Sequence, residues 1–83
     1  MPKPTDENGR KNLIGLRLKG LRMNSSPRMS QRALSHKLQL MGIDMDKNVI
    51  TRIETNKRYV TDIEIRALAK IFSVSYGFLI DGK

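Results

Sequence analysis

The stretch Asp46-Lys47-Asn48-Val49-Ile50-Thr51-Arg52-Ile53-Glu54 decides how the rest of the chain is read. Wound as a helix at about 100° per residue, it divides into two faces. Lys47, Asn48, Thr51 and Arg52 share one arc, and all four carry groups that hydrogen-bond to bases or phosphates. Val49, Ile50 and Ile53 fall on the opposite arc, suited to packing on a core, with Glu54 at its edge. Asp46 precedes the run as an N-cap, its carboxylate accepting from the first free backbone N–H groups. An ordinary amphipathic surface helix has the same two faces, so its surroundings must choose between them.

Those surroundings are small and basic. A chain of 83 residues is read as one domain, and at this size it buries only about 60% of its unfolded surface. There are no cysteines, which excludes disulfides and thiolate metal sites. No apolar run approaches the roughly 20 residues of a membrane span, and the polar start is not a signal peptide. The expected setting is cytoplasmic, with no membrane partner.

The net charge of +8 is unevenly distributed. Residues 1–9 carry net −1. Residues 10–58 hold twelve Lys/Arg against Asp44, Asp46 and Glu54, net +9, and residues 59–83 balance at zero. A solvated surface needs only mixed charge, whereas so lopsided a block favours a polyanion. Nucleic acid leads, with an anionic membrane surface as the competitor. No Trp, two Phe and two Tyr argue against a stacking platform for single strands.

Outward from the central stretch, helical signals follow one another. Residues 1–9 read as a flexible N-terminal arm, with two prolines, a glycine and no periodicity. Residues 10–23 read as the first helix, with Ile14, Leu18 and Leu21 in a stripe that Leu13 and Arg17 flank and Arg22 on its edge. Gly20 lies inside this pattern at a cost in stability. Asn24-Ser25-Ser26-Pro27-Arg28 ends it. Ser30 caps a second helix from Gln31 to Met41, with Leu34, Leu38 and Met41 as its stripe, Ala33 beside them and Gly42 as the left-handed C′ residue. After the central helix, Asn56 suits a left-handed cap. Thr61 and Glu64 form a capping box before a stripe of Ile65, Leu68, Ala69 and Phe72. Ser75 caps a last short helix that turns Phe78 and Leu79 inward. The expected architecture is all-α: five helices over residues 10–83, with no strand and no repeat.

Two helices joined by a short turn, the second presenting a polar arc, make a helix-turn-helix. Four segments carry the resemblance: Ile14-Gly15…Arg17-Leu18-Lys19…Leu21-Arg22; Met29-Ser30-Gln31…Leu34…Leu38; Ile50-Thr51-Arg52-Ile53-Glu54…Asn56-Lys57-Arg58; and Leu68-Ala69-Lys70-Ile71-Phe72-Ser73-Val74-Ser75…Phe78-Leu79. In this order and spacing the chain resembles the lambda-repressor-like, Cro/repressor-type family of helix-turn-helix regulators, over about residues 12–82. The resemblance implies that Lys47, Asn48, Thr51 and Arg52 face the major groove. It implies phosphate contacts from Gln31, Asn56, Lys57 and Arg58, and a partly buried ion pair between Arg22 and Glu54. The chain departs from the family between Leu38 and Asp46, where seven residues replace about four. That implies a longer second helix or a longer turn.

On this reading Arg52 would take guanine O6 and N7 bidentately, Asn48 an adenine, Thr51 a thymine methyl, and Lys47 a base or a phosphate. The expected function is a sequence-specific, double-stranded DNA-binding transcriptional repressor, acting as a homodimer on a pseudo-palindromic operator. Two alternatives share the fold: an antitoxin-type autorepressor that also binds a toxin protein, and a protein-interaction module. An enzyme is not expected. The single histidine, His36, lies off its helix's stripe, and no paired carboxylates, phosphate cradle or metal-ligand spacing appears. No cofactor or metal is expected.

Overall fold

Local hydrogen bonds start and stop most of the elements in the computed structural model, which describes residues 8–83. Five helices follow in order: α1 (Gly15–Met23), α2 (Gln31–Leu40), α3 (Lys47–Glu54), α4 (Asp62–Phe72) and α5 (Tyr76–Asp81). No strand occurs among the described residues. All but the last two residues of the expected arm, 1–9, lie outside them.

Four helices start on a side-chain cap. The Ser30, Asp46, Thr61 and Ser75 oxygens accept from the N–H groups of Ala33, Val49, Glu64 and Phe78. Thr61 and Glu64 close the full capping box. The first helix differs. It begins at Gly15 rather than near residue 10, because the Asn12 side-chain oxygen accepts from Ile14 N–H (3.1 Å) and Gly15 N–H (2.8 Å). Asn12 therefore does the work of the N-cap.

Three helix ends use one device. Gly42, Asn56 and Ser73 are left-handed, with φ of 80°, 61° and 54°. At each, that residue's N–H reaches back three residues and the next N–H reaches back five: Gly42 to Gln39 and Ile43 to Leu38; Asn56 to Ile53 and Lys57 to Arg52; Ser73 to Lys70 and Val74 to Ala69. These are Schellman closures, which satisfy the orphan carbonyls of the last turn.

Both α1 and α2 pack on α3, while α4 packs on α2 and α5. The core draws Ile14 from just before α1, Leu18 from α1, Leu34 and Leu38 from α2, Ile50 and Ile53 from α3, Leu68 from α4 and Leu79 from α5. Met45 joins them fully buried, although it lies in the connector 41–46. The long approach to α3 is thus resolved twice over. Helix α2 runs two residues past Leu38, and a six-residue turn follows. Met45 fills the core beneath that turn, while Ser35 Oγ donates to the Met45 carbonyl at 2.7 Å.

Several stripe positions move. Leu13, Ala33 and Met41 are exposed, whereas Ser35 and Ala67 are buried. Leu79 turns inward as expected, but Phe78 is only half-buried. Arg17, half-buried, donates to the Ile80 carbonyl at 3.1 Å. That places a cation at the negative end of α5.

Candidate nucleic-acid interface

Helix α3 sets out the expected division of faces. Ile50 and Ile53 are fully buried, and Lys47, Asn48, Thr51 and Arg52 are all exposed. The head groups of Lys47, Asn48 and Arg52 have no hydrogen-bond or ion-pair partner among the described residues. Thr51 is more committed. Its hydroxyl lies 3.0 Å from Gln31 Oε1 and 3.1 Å from the Lys47 carbonyl, and one hydroxyl proton serves one acceptor at a time.

Beneath this arc sits a buried ion pair. Arg22 Nε donates to Glu54 Oε2 at 2.8 Å, and Arg22 Nη2 donates to Glu54 Oε1 at 2.9 Å. The two side chains are 9% and 3% exposed, so the contact is bidentate and largely desolvated. The hydrogen bond to Glu54 and its charge outweigh burial and raise the Arg22 pKa above its ordinary value. Glu54 ends α3, near the negative pole of the helix, where a carboxylate is unfavourable without a cation. Arg22 supplies that cation from α1, and its remaining nitrogen, Nη1, donates to the Met29 carbonyl at 3.1 Å.

Gln31 extends the network outward. Its Nε2 donates to Glu54 Oε1 at 3.0 Å while its Oε1 accepts from Thr51. One amide thus connects the ion pair to the exposed arc. Beside it opens a cleft lined by Arg22, Ser30, Gln31, Arg32 and Lys47. Helix α2 starts on an uncharged serine cap with no acid in its first turn, so its positive pole is not offset there, whereas the Asp46 carboxylate caps that of α3. Arg32, exposed in the first turn of α2, joins the cleft without belonging to any sequence motif. Its position next to Gln31 was the available signal.

Among the residues that the resemblance marks for phosphate, the structure distributes duties unevenly. Lys57 is exposed, and its amine has no partner among the described residues. Asn56 instead turns its amide onto Asn12, 3.2 Å from the carbonyl and 3.1 Å from the side-chain oxygen. Asn12 in turn donates to the Ile53 carbonyl (3.1 Å) and the Arg58 carbonyl (2.8 Å). This buried hub holds the end of α3 against the start of α1. Arg58 clasps Glu64 with two nitrogens, each at 3.0 Å, and also reaches the Tyr59 carbonyl. Burial alone would raise the Glu64 pKa, but the Arg58 hydrogen bonds, the Thr61 N–H and the Arg58 charge together hold it below the ordinary value. The sequence counts donors in this turn. It does not display the acceptors that folding brings within reach.

The arrangement offers a rigid helix with three unengaged donors on its outer arc, a basic cleft at one end and Lys57 beyond the other. Every buried side-chain nitrogen and oxygen among the described residues is satisfied. No group of three or more His, Asp or Glu side chains suited to a metal forms among them, and no described helix is long and apolar enough to cross a membrane. Comparison with known proteins returns no match to any family model, curated protein or solved structure.

Proposed function

We propose that the chain is a sequence-specific, double-stranded DNA-binding transcriptional regulator of the lambda-repressor-like, helix-turn-helix kind, acting in the cytoplasm as a repressor. Helix α2 and helix α3 form the motif, and α3 enters the major groove. The observation that carries this reading is the state of α3. Its inner face is locked by Ile50, Ile53 and the Arg22–Glu54 pair, while Lys47, Asn48 and Arg52 stand exposed and unengaged within a block of net charge +9. A preorganised arc of this kind reads base edges without first ordering itself.

Backbone anchoring falls to Lys57 and to the cleft formed by Gln31, Arg32 and Lys47, at the N-terminus of α2. Asn56 and Arg58 act behind the interface, fixing the turn that presents Lys57. A helix of eight residues covers few base pairs. Two copies on a pseudo-palindromic site therefore supply the specificity, with half-sites about 34 Å apart.

Selection of bound sites from a random duplex library tests the reading, because one experiment yields motif, symmetry and half-site spacing. The Arg52→Ala variant sharpens it. Discrimination at particular base pairs should fall by about 1–3 kcal/mol. A uniform loss across all sequences would move Arg52 to the phosphate contacts, and enrichment of no motif would remove the specific-regulator reading.

A further inference from the structure

Helix α1 is apolar on both sides. Its inner side buries Leu18 together with the Arg22 half of the ion pair. On its outer side Leu16, Gly20 and Met23 recur at i, i+4 and i+7, within an arc of about 60° that faces away from the core. Leu16 is 65% exposed and Met23 38%, and Leu13, just before the helix, is 45% exposed. Three large apolar side chains along one face form a patch rather than scattered exposure. A cleft of about 240 Å³ runs from Leu13 and Leu16 to Arg10, Arg17 and Asn56. Gly20 leaves a notch in the row, since a Cβ there would meet nothing within 4 Å. The cleft shares no lining residue with the one at the start of α2.

Charge selects the occupant. Residues 8–43 hold eight Lys/Arg and no Asp or Glu. Lys19, exposed, flanks the apolar row on one side, and its amine has no partner among the described residues. Arg17 flanks the other side, bonded among them only to carbonyl oxygens. A second copy of this chain would bring the same cations against these. A duplex would use the cations but gain nothing from the leucines, because phosphate contacts are polar. A helix lying in a bilayer surface sinks its apolar face about 5–10 Å deep. This face is nine residues long, carries no aromatic side chain and is notched at its centre. A notch between Leu16 and Met23 instead suits the side-chain ridge of another helix.

We infer that the outer face of α1 docks an acidic amphipathic helix of a partner protein. The partner's apolar ridge lies on Leu13, Leu16 and Met23, and its carboxylates meet Lys19 and Arg17. The inference goes beyond the regulator reading and does not depend on it. Peptides of about 18 residues, long enough to hold a helix, are selected from a displayed random library against the full chain. Selection should enrich sequences with apolar residues at i, i+4 and i+7 flanked by Asp or Glu, binding in the micromolar range by fluorescence anisotropy. Leu16→Gln and Lys19→Glu should each weaken that binding about tenfold or more. Gly20→Gln should do the same by filling the notch, where the fold has room for it. Helicity by circular dichroism and duplex binding should be unchanged in Leu16→Gln and Gly20→Gln, and Arg52→Ala should bind the peptides as wild type does. Binding lost in Arg52→Ala but kept in Leu16→Gln would place the peptides on α3 and overturn the inference. Enrichment of no acidic amphipathic sequence overturns it too, as does a chain that ignores the peptides and binds phosphatidylglycerol vesicles through Leu16. Failure of sequence-specific DNA binding leaves all these results as they are, so the two readings fall separately.

Discussion

Replacing Arg22 by Met removes three hydrogen bonds from the base of α3: two to Glu54 and one to the Met29 carbonyl. Glu54, with a side chain only 3% exposed, would keep the Gln31 amide as its one side-chain donor. A carboxylate stranded in this way costs about 3–5 kcal/mol. An 83-residue domain has roughly 4–12 kcal/mol of stability in all. Arg22→Met should therefore remove about a quarter or more of it. Glu54→Met should cost about as much, because it strands the guanidinium instead. The double variant Arg22→Met/Glu54→Met removes both charges and should recover most of the loss, since well-packed apolar residues replace a buried pair at little or no cost. Urea unfolding followed at the helical circular-dichroism band supplies all four corners of the cycle. Single-variant losses below about 1 kcal/mol, the range of solvated surface pairs, would refute the reasoning. The double variant carries a second readout. With the fold restored but Gln31 deprived of its Glu54 acceptor, duplex binding should still be weaker than wild type if the network positions α3.

Three further outcomes follow from particular contacts. Gly15→Ala would drive a Cβ into the Ile53 carbonyl oxygen and should destabilise by about 1–3 kcal/mol. Gly20→Ala meets nothing within 4 Å and should stabilise by about 0.5–1 kcal/mol; equal effects in thermal unfolding would contradict the close approach of α1 to α3. Because the folded Glu64 carboxyl titrates below its ordinary value of 4.5, its stabilisation is complete above that pH. It is lost as the pH falls from there through the folded value, and Glu64→Gln should flatten that part of the stability–pH curve. Lys57→Ala should make the log–log salt dependence of duplex binding shallower by about 0.9. Arg58→Ala should leave that slope unchanged and instead cost about 1 kcal/mol of stability; a shallower slope for Arg58 would show that it leaves Glu64 for phosphate.

What could be read from residues alone was local. Ser30, Asp46, Thr61 with Glu64, and Ser75 announce helix starts because each cap closes on an N–H three residues ahead. Gly42 and Asn56 announce helix ends because their backbones accept a left-handed turn. Ser73 takes the same conformation without a comparable signal. The two faces of α3 were equally legible, since a helical period needs no knowledge of the neighbours. The Arg22–Glu54 pair joins residues 32 apart. It was anticipated through family resemblance, with periodicity placing both only at the edges of their stripes.

Tertiary structure alone decided the rest. Asn12 lies 41 residues from the Ile53 carbonyl it satisfies, and nothing within its own segment announces that acceptor. Met45 looks like a connector residue until α2 and α3 close over it. Arg58 carries donors suited to phosphate, but the folded chain sets Glu64 beside them, and Gln31 commits one of its two amide N–H groups to Glu54. The same holds for the stretch from Asp46 to Glu54. Its polar arc follows from helical geometry, whereas its fixed pose depends on α1 and α2. A side chain's chemistry is written in its residue type; which partner it meets depends on distances that only the packed chain defines.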